Sequence, residues 1–381
     1  MAFSLVRFPA LRFGLDDQIF KLSTTTPSTT TNIVQGVIQV QRDGNNIGSE
    51  YVYPYSPIEW NFLFPQIIAQ SLATTIPDPA QNAITIDNTI SDRFAFQYWE
   101  RTIDTVNQTT TDGIVQTAGN YTILNSRCPY TDNYDYSGDY IVLSDRPKKN
   151  IIGHNQADYL YIYVNVNTRI RWTGYRKDGT TANFISAPLT DNEVNIVPIG
   201  TGANNFWGGV IDDTDLSYYT LEFSVNNGAF SNLYRFDVIS DCGLRDCIEL
   251  VFQECKGGYA SMRFNEAKAV SVTRTSDVFT CEPDIVTTPE QRRLELGRQS
   301  KNAQTVKAFA LTKKLKYEQG YEYLLQSLFT SNNVFIKRLI NGTYQLTRVT
   351  LANSRYKVTE DNKILFVSIQ ATLSQRKRSS H

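Results

Sequence analysis

Histidine and methionine are nearly missing from this chain, with two of each in 381 residues. Imidazole carries most general-base and metal chemistry near neutral pH, so the scarcity disfavours an enzyme before any motif is sought. Bulk charge is missing too. Lys and Arg total 37 against 38 acidic residues, which removes the electrostatic ground for a nucleic-acid partner. The one basic run, Arg376-Lys377-Arg378, reads as a solvated tail. No stretch approaches the roughly 20 apolar residues of a membrane-crossing helix, so no membrane span is expected. The opening, MAFSLVRFPALRFGLDD, is interrupted by Arg7, Pro9 and Arg12 and has no small-residue cleavage site, which argues against a signal peptide. The five cysteines are therefore expected as thiols in a protein made in a cytoplasm.

What is abundant is aromatic and β-branched. Twenty-two Tyr and 20 Phe, with many Thr, Val and Ile, favour pleated, half-buried surfaces. The length exceeds what one core usually organises. The expected fold is mainly β, with two or three β-sandwich-like domains and one α-helix packed on the last. The chain is organised around Asp241 to Ser276, where Ile248 to Phe252 and the Tyr259, Met262, Phe264 run flank Gly257-Gly258 as a β-hairpin. A hairpin alone is marginal in water, so this one implies a covering layer.

In chain order, residues 1–13 read as an N-terminal arm, lying along a neighbour or forming an edge strand. Residues 14–105 read as a first β-domain with a short closing helix. In it TTTPSTTT (Thr24 to Thr31) is a loop, Asp43-Gly44-Asn45-Asn46 a turn, and Pro65 the start of a helix through about Leu72. Residues 106–280 read as a second sandwich that includes the Gly-Gly hairpin. A polar insertion opens it, and strands at Tyr159 to Val166, Arg169 to Trp172, Val194 to Ile199, Tyr218 to Val225 and Leu233 to Ile239 follow. Residues 281–300, with two prolines and many charges, read as a linker. Residues 301–381 read as a C-terminal β-domain with one helix, Gln319 to Thr330, followed by strands at Asn333 to Leu339, Tyr344 to Val349, Arg355 to Val358 and Lys363 to Leu373.

No constellation of chemistry rises above background, and no catalytic, cofactor-binding or metal residue is assigned. Cys242, Cys247, Cys255 and Cys281 lack the paired C-x2-C spacing of zinc sites. His154 has no nucleophile elbow beside it. Asp212-Asp213-Thr214-Asp215 lacks the ligand pattern and glycine of calcium loops. Gly200-Thr201-Gly202 and Gly208-Gly209 do not sit between a strand and a helix with the lysine of a phosphate cradle. Trp60, Trp99, Trp172 and Trp207 suit core packing better than a sugar groove, and the Tyr130 to Tyr140 loop presents aromatics. No cofactor is expected.

Three segments carry a resemblance: QIFKLSTTT…VIQVQRDGNNIGSEYVYPYSPIEWNFLFPQIIAQSL, the CIELVFQECKGGYASMRFN hairpin, and the C-terminal strand, helix and VFIKRLINGTYQLTRVTLANSRYKVTEDNKILFVSIQATL. Together they resemble tail and baseplate-region structural proteins of bacteriophages, of the distal-tail or tail-tip kind, notably from phages of Bacteroidetes hosts. The resemblance implies a virion structural protein: an assembly subunit of a tail tip, baseplate or adaptor ring that connects tail and fibre components, made in the host cytoplasm and housed in the virion tail. Its implied partners are copies of itself in a ring or trimer and other tail, baseplate or fibre proteins. The arm, the Thr24 to Thr31 loop and the Cys281 to Gln299 linker are the expected contact elements. The alternative is a receptor- or glycan-binding protein at a fibre tip, with a host surface glycan as partner.

Overall fold

The computed structural model describes residues 4–7, 12–14, 19–24, 28–53, 59–63, 65–126, 138–201, 205–208, 215–239, 247–264, 267–280, 298–316, 321–340, 343–359 and 364–375. It is mainly β, 61% strand and 6% helix, built from several largely antiparallel sheets. Three sandwich-like units follow one another. Among the described residues no helix is long and apolar enough to cross a membrane.

The first unit stacks a small sheet, Ser4–Arg7, Ile19–Ser23 and Glu59–Leu63, over a larger one formed by Arg12–Gly14, Gln116–Leu124, Ser91–Asp104, Asn32–Arg42 and Asn45–Val52. Alternation in Ser91–Asp104 sends Phe94, Phe96 and Tyr98 inward, where they meet Ile38, Val40 and Ile123. The helix Pro65–Ser71 adds Ile68 and, just past its end, Leu72 to that core. The turn at Asp43-Gly44 forms as the sequence indicates, both residues having positive φ (50° and 77°). Of the two readings of the arm, its described residues take the edge strand: Ser4–Arg7 pairs antiparallel with Ile19–Ser23, and Arg12–Gly14 pairs parallel with Gln116–Leu124, each at the edge of its sheet. The polar insertion is also strand, Thr109–Asp112 and Gln116–Leu124, because threonine suits an exposed edge and Ala118, Tyr121 and Ile123 reach the core.

The second unit packs the sheet Tyr140–Val142, Tyr159–Val164, Glu193–Pro198 and Thr85–Asp87 against Lys149–Gly153, Ser231–Ile239, Leu216–Val225, Thr168–Arg176 and Thr181–Ile185. Thr85–Asp87 comes from the segment expected in the first domain. Buried Asp87 pins it, accepting hydrogen bonds from the N–H and hydroxyl groups of Thr75 and Thr89 at 2.7–3.0 Å. Asp178-Gly179 turns the chain between Thr168–Arg176 and Thr181–Ile185, with Gly179 at φ +86°.

The third unit is a seven-stranded sheet, in spatial order Tyr259–Phe264, Ile248–Gln253, Val334–Ile340, Thr343–Thr359, Ile364–Gln375, Arg298–Lys316 and Ala267–Thr280. It curls around the helix Tyr321–Thr330, whose Tyr321, Leu324, Leu325 and Leu328 share the buried stripe while Tyr323 faces solvent. The Gly-Gly hairpin, expected in the second sandwich, instead pairs its backbone with Val334–Ile340 and so joins the C-terminal sheet. The expected linker joins two adjacent strands of one sheet rather than two domains, since Thr280 pairs directly with Arg298; its residues 281–297 lie outside the described residues. Thr343–Thr359 is one strand rather than two. Its first half pairs with Val334–Ile340 and its second with Ile364–Gln375, which lets one strand serve both halves of the curled sheet.

Candidate functional site

The three units meet at the tip of the Gly-Gly hairpin. Tyr259–Phe264 is buried throughout its length, because its two faces serve different cores: Ala260, Met262 and Phe264 face the helix, while Tyr259 packs with Tyr159, Tyr161 and Phe335 in a separate cluster between the second and third units. Tyr159–Val164 is divided in the same way, with Leu160, Ile162 and Val164 in its own sandwich and its tyrosines in the junction. A strand buried on both faces loses the apolar–polar alternation that would reveal its orientation.

Gly257 and Gly258 are required by close approach. Gly257 has φ +100°, and a Cβ there would lie 2.1 Å from the carbonyl oxygen of Asn125 in the first unit. A Cβ on Gly258 would lie 2.4 Å from the Leu143 carbonyl oxygen in the second. The tip closes through the Glu254 and Gly257 N–H groups, which donate to the Gly258 and Glu254 carbonyls at 2.7 and 3.0 Å. Gln253 reaches out of its unit and back into it: its Nε2 donates to Thr74 Oγ1 at 2.9 Å, and its Oε1 accepts from Asn333 Nδ2, beside the paired strand Val334–Ile340, at 2.8 Å.

Behind this tip lies a buried ionic network. Glu254 accepts from the Ser144 hydroxyl (3.0 and 2.9 Å) and from the Asp145 N–H, with Arg146 Nε at 3.7 Å. Arg146 forks onto Asp158, whose Oδ1 also accepts from the Ser261 N–H at 2.9 Å. Asp145 accepts from Ser327 Oγ on the helix at 2.5 Å and from the Lys256 N–H at 3.4 Å, and Lys256 Nζ stands 3.8 Å away. Helix, hairpin and second sandwich thus share one set of polar partners. Burial raises the Glu254 carboxyl to about 7; Arg146 opposes the shift and Asp145 adds to it. Burial also raises Asp145, against Ser327 and Lys256. For Arg146 burial works against the charge, but Asp158 and Glu254 more than compensate and hold it protonated.

A second buried set backs the hairpin. Glu249 lies between Arg263 (3.4 Å) and Lys337 (3.3 Å), with burial raising its carboxyl against both cations. Lys313 Nζ donates to the Arg263 carbonyl at 2.6 Å, tying Arg298–Lys316 to Tyr259–Phe264 across the core.

The residues singled out in the sequence are dispersed. Cys247 is disulfide-bonded to a partner outside the described residues, which corrects the expectation of thiols, while Cys255 is a free thiol at the tip. Which cysteines pair is decided by proximity in space, which spacing does not encode. Cys242 and Cys281 lie outside the described residues, as do Asp212, Asp213 and Thr214, Gly202 and Gly209, and residues 130–137 of the tyrosine loop. Tyr140 at the end of that loop stacks on Phe223 at 4.8 Å. His154 lends its carbonyl oxygen to Arg263. Gly200 allows a close approach, since a Cβ would lie 2.3 Å from Asn205 Oδ1, and Thr201 Oγ1 donates to the Gly153 carbonyl at 2.7 Å. Trp172 is core, in contact with Phe184, Phe206 and Tyr219; Trp207 packs on Phe206 at the margin of that core; Trp99 belongs to the first unit. Among the described residues no group of three or more His, Cys, Asp or Glu side chains is arranged to hold a metal.

The sequence reading missed Asp145, Arg146, Asp158 and Ser327. Their one local signal is the pair Glu254 and Lys256, charged residues in a hairpin tip too tightly built to be solvated. Compared with protein-family models the chain matches none, and no curated protein matches it.

Proposed function

We propose that the chain is a structural virion protein, an assembly subunit of a phage tail tip, baseplate or adaptor ring that joins tail and fibre components. The sequence resemblance motivates this reading. The observation that carries it is the combination of a locked centre with open edges. The buried chemistry is spent on internal cross-links, while Asn45–Val52, Thr181–Ile185 and Ala267–Thr280 each end their sheet among the described residues. An open edge on a free monomer invites pairing, and in a ring each subunit donates one edge and receives another. Tyr51 and Tyr53, exposed at and just after Asn45–Val52, supply the aromatic surface that interfaces favour. Light scattering with negative-stain imaging across a concentration series tests the reading. A discrete ring or trimer is expected; a monomer at every concentration, alone and with the other tail-region proteins, overturns it.

The second reading, a receptor- or glycan-binding protein at a fibre tip, is favoured by one feature. Tyr175 and Tyr218 stack at 4.3 Å on the face of their sheet opposite Trp172 and Tyr219, with Arg235 3.8 Å over Tyr218. Glycan-array binding that disappears in Tyr175→Ala would favour it over the assembly reading.

A further inference from the structure

Lys256 and Asp145 bring an amine and a carboxyl together at the hairpin tip, and the buried carboxyl of Glu254 lies on the same tip. The Lys256 and Asp145 side chains are 18% and 4% exposed, with Nζ 3.8 Å from Oδ1. The other carboxyl oxygen, Oδ2, accepts two hydrogen bonds, from Ser327 Oγ and from the Lys256 N–H itself. Glu254 lies two residues from Lys256 on the same tip and accepts from the Asp145 N–H.

We propose that Lys256 and Asp145 condense into an intramolecular isopeptide bond, an amide between Nζ and Cγ, which welds the hairpin tip to the second unit with Glu254 as proton carrier. The Lys256 ammonium gives a proton to Glu254, and the freed lone pair adds to Cγ of the protonated Asp145 carboxyl. Developing negative charge falls on Oδ2, where the two donors already point. Nζ passes its second proton by way of Glu254 to Oδ1, the Cγ–Oδ1 bond breaks, and Oδ1 leaves as water carrying that proton and the carboxyl's own. Ammonium, protonated Asp145 and the Glu254 carboxylate give amide, water and protonated Glu254, with no oxidant, reductant or further reactant.

Three physical features favour the step. Holding amine and carboxyl together in the fold converts a bimolecular condensation into an intramolecular one, with effective molarities of about 10⁵ M or more for well-oriented pairs. The product also replaces a poorly solvated ion pair with a neutral amide, removing the desolvation cost of two charges. Burial lifts Glu254 to about 7, a range in which a carboxyl both takes and returns a proton near neutrality. The proposal concerns the fold alone and does not depend on what the chain assembles into.

Intact mass of the purified full chain, reduced and denatured, is the test, read beside Lys256→Arg and each against its own sequence. The wild type is expected to be lighter by one water molecule and Lys256→Arg to show its full mass. Tryptic digestion of the wild type is expected to give one branched fragment containing Asp145 and Lys256, uncut after Lys256. A wild-type chain at full mass overturns the bond, as does a water deficit that persists in Lys256→Arg. Glu254→Gln keeps both reacting groups; with its fold confirmed by circular dichroism it is expected at full mass, and a deficit equal to the wild type's removes Glu254 from the step.

Discussion

Replacing Gly257 with alanine is the most direct perturbation of the junction. Two costs add. At φ +100° an L side chain is strained by about 1–3 kcal/mol, and a Cβ 2.1 Å from the Asn125 carbonyl oxygen must push the first unit away from the tip. Overpacking of this kind costs about 1–3 kcal/mol more. Gly44→Ala supplies the control: that residue also has positive φ (77°), but nothing lies within 4 Å of an added Cβ. It carries the backbone strain alone, about 1–2 kcal/mol. Gly257→Ala should therefore be the more damaging by about 1–3 kcal/mol, or roughly 5- to 150-fold in an unfolding equilibrium. Urea denaturation gives the totals, and amide exchange locates them. Peptides carrying Asp145, Asp158 and Ser327 should lose protection in Gly257→Ala and keep it in Gly44→Ala. If the two variants are equally stable and the Gly257→Ala losses stay within the hairpin, the tip is not wedged between units and the argument fails.

Three further outcomes follow from the same contacts. Glu254 holds its proton up to about pH 7 when folded, above its ordinary value of 4.5. Its contribution to stability is thus complete below about pH 4.5 and lost as pH rises through about 7, with a slope of at most about 1.4 kcal/mol per pH unit; denaturation midpoints over that range should show the slope, and Glu254→Gln should flatten it. Arg146→Ala leaves Asp158 buried without its cation and should cost about 3–5 kcal/mol, measured by urea denaturation at neutral pH; a cost near that of a surface substitution would contradict the burial. Leu325→Ala, on the inner stripe of the helix, should cost about 2–5 kcal/mol, whereas Tyr323→Ala on the outer face should change stability by less than about 0.5 kcal/mol; equal effects would mean that the stripe is wrongly oriented.

Local chemistry determined much of this protein from the sequence alone. Period-2 alternation placed the strand at Lys363 to Leu373, found as Ile364–Gln375, glycine marked the turn at Gly44, and Pro65 opened the first helix. These signals depend only on neighbours in the chain. Which sheet a strand joins depends on partners far away, so only the tertiary structure took Thr85–Asp87 into the second unit, moved the Gly-Gly hairpin to the third and chose the edge-strand reading of the arm. The helix stripe shows the limit of the local signal: the 3.6-residue period fits more than one face, and contact with the curled sheet selected Tyr321, Leu324, Leu325 and Leu328. The junction was the least legible part. Asp145 and Lys256 are separated by 111 positions, and no periodicity relates charges at that distance. The sequence showed that two glycines were present; the tertiary structure showed why no side chain fits there and which charges close behind them.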